Sequence, residues 1–259
     1  MQDKLTEKQY WENYWKGIKL PLELVRETSA PNIQAELDVF EKHLPKEKLS
    51  ILEIGGAPGQ YLAYFHSRFG YRVSCLDYTA TGCEKTRENF SLLNIPGDVY
   101  QDDLFSEELQ LPEFDIVCSF GFIEHFNDLE GVVDQHLKLL VPGGLLILGV
   151  PNFLGINHWF LKRLAPILLA GHNLKSMDSD TWVGFEKALN LDVIFKQYVG
   201  GFEPGVFLKC EEKSTLNKIL FFTAKLLNRI FHNNFKNLRK YNSKNTSGYL
   251  IGIYRKPLS

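Results

Sequence analysis

The chain has 259 residues, 44% of them hydrophobic and 23% charged, with a formal net charge of −2. That length suffices for one large α/β domain with a substantial core, and the composition excludes disordered and collagen-like classes. The N-terminus, MQDKLTEKQYWENYWK, lacks the apolar run of a signal peptide, and the longest apolar stretch, LLVPGGLLILGVPNFLGI, is broken by Pro142, Gly143, Gly144 and Pro151, so it reads as turn, strand and loop rather than as a membrane span.

Residues 1–45 are expected to be helical and to form an N-terminal cap, punctuated by Pro21 and Pro31. Tyr10, Trp11, Tyr14 and Trp15 recur there at helical spacing. The favoured reading is an amphipathic helix packed on a core; the other is a cover over a ligand, with Tyr14 against the acceptor. From Leu49 an alternation sets in. LSILEI reads as a strand, GQYLAYFHSRFG as a helix stopped by Gly70, and YRVSCLD as a strand. TATGCEKTRENFSLLNI is a helix with Thr79 or Thr81 as its cap. DVYQ and FDIVCSF are strands, LEGVVDQHLKLLVPGG a helix ending at Pro-Gly-Gly, and LLILGV a strand. Such alternation predicts a parallel sheet covered on both faces.

Residues 46–152 thus form a core, and 153–191 an acceptor-side lid. TWVGFEKALNL then reads as a helix, DVIFKQYV as a strand, STLNKILFFTAKLLNRIFHNNFKNLRKY as one or two helices, and SGYLIGIYRKP as a closing strand. The whole is one domain, with a basic helical insert at 213–241 between the last two strands. No aspartate or glutamate follows Glu212, yet ten of the 29 lysines and arginines do, which leaves residues 1–212 with a balance of −12. On a helical wheel Leu216, Ile219, Leu220, Leu226, Leu227, Ile230 and Phe231 share one face, with Asn217, Lys218, Lys225, Asn228 and Arg229 on the other. The slightly favoured reading packs this insert on the core with its lysines solvated. The functional one lays it on anionic lipid, making the protein peripheral to a membrane, or beside a phosphorylated acceptor. Nucleic acid is a weaker reading, because no RNA-binding module is visible.

ILEIGGAPGQYL, residues 51–62, places a glycine-rich turn between a strand and a helix. Glycine there permits positive φ and close approach of a ligand to main-chain amides at a helix N-terminus. A dinucleotide fingerprint would need glycine where Ala57 and Gln60 stand, and a phosphate loop would need Gly-Lys-Ser/Thr. What fits is an acid followed by glycines: Glu53, Gly55, Gly56, Ala57 and Gly59. This resembles the first motif of class I S-adenosylmethionine-dependent methyltransferases, with Ala57 at the middle glycine. The resemblance continues in order through Asp77, QDDLF, FDIVCSFGFIEHF and LLVPGGLLILGVPN. It implies a Rossmann-like, doubly wound seven-stranded sheet, mostly parallel, with an antiparallel last strand. It further implies that S-adenosylmethionine is held by Glu53 and the glycine turn, by Asp77 with Tyr78 at the ribose, by Asp103 and Leu104 at the adenine edge, and by Ser119 and Phe120 after the fourth strand.

The resemblance makes methyl transfer to a small-molecule or lipid-linked acceptor, at oxygen, the expected reaction; an RNA methyltransferase and a non-catalytic binding module are the alternatives. A base near neutral pH points to histidine. His125, with Glu124 to orient it, stands at the C-terminal edge of the sheet, where ligands bind in open α/β folds. Its other reading is a residue packed at a helix start. His158, Trp159 and His172 lie in the proposed lid and are candidate acceptor contacts, although a structural role is favoured for either histidine alone. Cys75, Cys83, Cys118 and Cys210 form no CxxC and no metal-ligand spacing, so a reduced, cytoplasmic protein without a metal site is expected.

Overall fold

The computed structural model describes residues 4–27, 29–201, 214–233 and 242–258. Seven strands form one sheet: β1 (Ser50–Ile54), β2 (Arg72–Asp77), β3 (Asp98–Gln101), β4 (Phe114–Phe120), β5 (Leu140–Pro151), β6 (Asp192–Val199) and β7 (Tyr249–Arg255). Their order is β3-β2-β1-β4-β5-β7-β6. The first five pair in parallel, and β7 runs antiparallel between β5 and β6. This is the expected Rossmann-like sheet. The order reverses between β1 and β4, and the strand ends at that switch point open a crevice.

The strands read as continuous apolar runs because both faces are covered. Along β1, Ile51 joins one core and Leu52 the other; along β4, Ile116 and Cys118 face one way and Val117 the opposite. One core closes under α2 (Pro31–His43), α3 (Gln60–Phe69) and α4 (Ala80–Leu93), through Phe40, Phe65 and Phe90. The other closes under α5 (Leu129–Lys138), α6 (Gly155–Leu164) and α8 (Ser179–Ala188), through Val132, Leu161 and Trp182. A short α7 (Pro166–Ala170) follows α6.

Several expectations are corrected. Residues 1–45 are not helical throughout: α1 spans Lys8–Lys16, and residues 18–25 are an irregular linker before α2. Asn89 of α4 holds that linker, accepting from Leu22 N (2.7 Å) and donating to Leu22 O (2.9 Å) and Pro58 O (3.0 Å). Of the two candidate caps of α4, Thr79 is the one used; its hydroxyl accepts from Gly82 N at 3.2 Å. The helix expected to run to Pro-Gly-Gly stops at Lys138, and Pro142–Gly144 are drawn into the start of β5, where its register against β4 shifts.

No residue of 153–191, expected as a lid, lines the cavity described below. Phe153, Phe160, Leu161, Leu164, Met177, Trp182 and Phe185 are buried in the second core. The basic insert contributes α9 (Thr215–Asn233); residues 213 and 234–241 lie outside the described residues. Its apolar stripe is split. Leu220 and Leu227 pack on the second core, whereas Leu216, Ile219, Phe222 and Leu226 are exposed and Asn217 is buried.

Glu36 on α2 lies 2% exposed under α3, where the Tyr61 hydroxyl donates to its Oε2 at 2.7 Å. Burial pushes its carboxyl up to about 7, against which the Tyr61 bond acts. A carboxyl raised in the fold binds its proton more tightly than in the unfolded chain, so its stability contribution is full below the unfolded value near 4.5 and is lost as pH rises through about 7. Glu36→Gln keeps an acceptor for Tyr61 and is expected to raise the melting temperature relative to wild type progressively from pH 5 to pH 8, the underlying stability difference reaching about 1–3 kcal/mol. Parallel melting curves across that range would refute this placement of the charge.

Candidate functional site

A cavity of about 320 Å³ opens at the C-terminal ends of β1, β2 and β4. Its floor is the turn from β1 into α3. Gly55 (φ +66°) and Gly59 (φ +82°) are left-handed there, a conformation L side chains resist. A Cβ at Gly55 would stand 2.6 Å from the Phe122 ring, and one at Gly59 2.7 Å from the Phe90 ring. The turn is therefore bare partly because the protein's own aromatics press on it, and Gly59 packs against α4 rather than lining the cavity. At Gly56 a Cβ would fall 2.7 Å from the side chain of Glu53.

Glu53 is 3% exposed, lines the cavity, and leaves Oε2 without a hydrogen-bond partner. Burial first, then the nearby Asp77, push its carboxyl well above the usual range. Asp77 closes β2. Its Oδ1 accepts from Thr79 N (2.8 Å) and the Thr79 hydroxyl (2.6 Å), which fixes the carboxylate at the cavity wall. Ala57, Tyr78, Leu104 and Phe120 also line the cavity, as expected. Asp103 lines it too, but both its oxygens are engaged: Lys4 Nζ reaches Oδ2 at 2.6 Å and Phe105 N reaches Oδ1 at 3.1 Å. Neighbouring Asp102 is a second lining acid, and its Oδ1 accepts from Asp103 N.

The N-terminal segment forms the roof. α1 buries none of its residues; Trp11, Tyr14 and Trp15 line the cavity instead, so the cover reading holds over the packing one. Four ties hold the segment down. Glu12 accepts from Ala80 N (3.0 Å) and Thr81 N (3.1 Å) at the start of α4. Leu5 N donates to His125 O (2.9 Å), the Thr6 hydroxyl meets His125 Nδ1 (2.9 Å), and Lys4 pairs with Asp103.

His125 ends a one-turn 3-10 helix, Ile123–His125, and lines the cavity edge-on to Trp11, ring centroids 5.1 Å apart. Burial, with His172 adding to it, pushes its imidazolium down to about 3, so the ring is neutral. Glu124 is buried behind it, its carboxyl pushed up to about 8 by desolvation.

The remaining expected residues are displaced. Ser119, expected to act through its backbone carbonyl, is absent from the cavity lining, and its hydroxyl meets the Nε2 of His136 at 3.0 Å. His158 and Trp159 sit on α6 outside it, Trp159 56% exposed. His172 lies behind His125, ring centroids 4.5 Å apart, rather than in the cavity. Lys4, Thr6, Trp15, Tyr61, Phe122 and Phe126 line the cavity without having been singled out as site residues. The aromatic spacing of α1 carried a signal for Trp15, and Tyr61, Phe122 and Phe126 fall inside the quoted motifs, whereas nothing local marked Lys4 or Thr6.

The donor set fits S-adenosylmethionine. A buried carboxyl oxygen without a donor suits a cationic or N–H-bearing ligand, a fixed strand-end carboxylate suits a pair of hydroxyls, and bare main chain allows close approach. Residues 25–198 match the model of a family described as a methyltransferase domain. The chain belongs to that family, within the class I S-adenosylmethionine-dependent methyltransferases, whose cofactor is S-adenosylmethionine. It is 29% identical over 168 residues to the mitochondrial ubiquinone biosynthesis O-methyltransferase of Dictyostelium discoideum, a match covering 59% of this chain and half of that protein's length.

Among solved structures, coclaurine N-methyltransferase bound to N-methylheliamine and S-adenosylhomocysteine shares the fold with a TM-score of 0.57 at 14% identity, over 96% of this chain and 85% of that one. The [4+2]-cyclase SpnF does so with a TM-score of 0.62 at 12% identity, over 99% and 97%. Geranyl diphosphate C-methyltransferase from Streptomyces coelicolor matches with a TM-score of 0.61 at 10% identity, over 96% and 97%.

Asp77→Ala is expected to weaken S-adenosylhomocysteine binding roughly tenfold or more by calorimetry, since hydrogen bonds to a charged group contribute about 1.5–3 kcal/mol. Unchanged affinity removes Asp77 from the site. Because Trp11 and Trp15 roof the cavity, ligand binding is also expected to change the intrinsic fluorescence, and Trp11→Phe/Trp15→Phe to abolish most of that change. A full-size signal in the double variant would place the ligand elsewhere.

Proposed function

We propose that this chain transfers a methyl group from S-adenosylmethionine to a hydroxyl oxygen of a small, aromatic acceptor. The observation that carries the reading is the mixed lining of the cavity: it carries the acids Glu53, Asp77, Asp102 and Asp103 and the rings of Trp11, Tyr14, Trp15, Phe122 and Phe126, with His125 edge-on to Trp11. Flat aromatic walls favour a planar, apolar partner. The relative named as an O-methyltransferase supports oxygen as the methylated atom.

The cofactor, when bound, supplies a methyl already activated on a sulfonium. The protein's part is alignment and exclusion of water, and the N-terminal segment with its four ties supplies both. The neutral His125 ring has its Nδ1 held by Gly171 O at 3.1 Å, which leaves Nε2 to accept a hydrogen bond from an acceptor hydroxyl. An imidazole whose conjugate acid lies at about 3 holds a proton weakly, so His125 positions the oxygen more than it deprotonates it.

The acceptor is further read as partly lipid-like, with α9 resting on anionic lipid. Leu216, Ile219, Phe222 and Leu226 form an exposed apolar stripe on a segment whose sequence carries cations and no acid. No helix among the described residues is long and apolar enough to cross a membrane.

His125→Ala is expected to lower kcat for phenolic acceptors about 10- to 100-fold while S-adenosylhomocysteine affinity stays within about threefold. Undiminished turnover excludes His125, and binding without turnover on any phenol, amine or RNA acceptor overturns the reading. For α9, co-sedimentation with phosphatidylserine vesicles is expected to fall in Ile219→Glu/Phe222→Glu, and equal pelleting of both proteins would dismiss the lipid contact.

A further inference from the structure

Three side chains that lie apart in the sequence meet behind the acceptor part of the cavity. A carboxylate oxygen of Glu124 and one ring nitrogen from each of His125 and His172 lie within 4.8 Å of one another. Both histidines have a determined tautomer. His125 Nδ1 stands 3.1 Å from Gly171 O, and His172 Nδ1 2.6 Å from Leu168 O. A carbonyl only accepts, so each Nδ1 bears the hydrogen and each Nε2 keeps its lone pair. The Thr6 hydroxyl agrees with this: it lies 2.9 Å from His125 Nδ1 and donates to Gly171 O at 3.3 Å. An imidazole oriented through one nitrogen by a main-chain carbonyl is the arrangement that metal-ligating histidines adopt.

Glu124 provides an independent observation. Its side chain is 1% exposed and its Oε2 meets no hydrogen-bond donor. Leaving a buried carboxyl oxygen unpartnered is costly, and a cation would complete it. The frame is pre-formed: Asn173 N donates to Glu124 O (2.7 Å) and Asn173 Nδ2 to Phe126 O (2.9 Å), clamping the loop that carries His172 onto the 3-10 turn.

We propose that Glu124, His125 and His172 bind a divalent first-row transition-metal ion. Two neutral imidazoles and one carboxylate suit Zn²⁺, Fe²⁺ or Mn²⁺ better than Mg²⁺ or Ca²⁺, which favour oxygen donors throughout. Bonds of about 2.0–2.2 Å set tetrahedral donors roughly 3.4 Å apart, so atoms within 4.8 Å of one another need close by no more than about 1.4 Å. His125 lines the cavity, so an ion on its Nε2 borders the acceptor's space. With the ion in place, the acceptor oxygen meets the metal instead of the imidazole. Its O–H bond then breaks more readily: the proton leaves to solvent water, and the electron pair stays on the oxygen that takes the methyl group. This role rests on the methyl-transfer reading; the binding of the ion does not.

The test uses the full chain dialysed against chelator and titrated with Co²⁺ and Zn²⁺. Wild type is expected to retain one ion per chain after desalting, with the visible Co²⁺ bands altered by nitrogen ligation. His172→Gln, outside the cofactor cavity, is expected to weaken uptake roughly tenfold or more while calorimetric affinity for S-adenosylhomocysteine is unchanged. Undiminished uptake by folded His172→Gln, or no uptake by wild type that still binds S-adenosylhomocysteine, overturns the proposal. Should His172→Gln not fold by circular dichroism, the wild-type Co²⁺ spectrum decides: nitrogen ligation upholds the site, and the spectrum of aquated Co²⁺ overturns it. Metal uptake without methyl transfer to any acceptor upholds the site and refutes the reading of the reaction.

Discussion

A carboxyl group at the floor of the crevice, Glu53, holds one oxygen that meets no donor while 97% of the residue is withdrawn from solvent. An acceptor so placed opposes folding unless something brings it a hydrogen or a positive charge. The surrounding geometry is consistent with that requirement. Gly56 has no side chain where one would strike Glu53, and Thr79 holds the neighbouring Asp77 carboxylate in place. An unsatisfied acceptor, left-handed glycines and a fixed carboxylate thus meet at one turn, as they do where a ligand completes a site.

The roof is made differently from the floor. The floor belongs to the sheet and shares its cores. The roof is a nine-residue helix with no buried residue, tied to the body by polar contacts at its own Glu12 and at Lys4, Leu5 and Thr6 of the segment before it. A cover with little apolar burial opens at low cost, which suits a site that must admit two molecules and release two. Two of its ties end on His125, so the roof and the acceptor part of the cavity are mechanically joined.

Residues 153–191 illustrate how one segment can serve a site without lining it. Their apolar side chains build the second core, and that core holds Gly171–Asn173 against the 3-10 turn of Glu124 and His125. The loop sets the tautomer of His125 and brings His172 to its back.

By itself the sequence determined the seven strands, the glycine turn and its acids, because apolar runs, strand-end glycines and helix stops are local signals written within a dozen residues, while the antiparallel last strand was implied by the family resemblance. It also marked Tyr14 and its aromatic neighbours, though not which way they face. Only the tertiary structure decided that α1 covers the cavity, that Asp103 is engaged by Lys4, that His158 and Trp159 stand outside, that α9 exposes Leu216, Ile219 and Leu226, and that His172 sits behind His125. The physical reason is range. Each of those facts depends on contacts between segments from tens to about a hundred residues apart, and such contacts depend on which surfaces meet when the cores close, for which periodicity and spacing carry no signal.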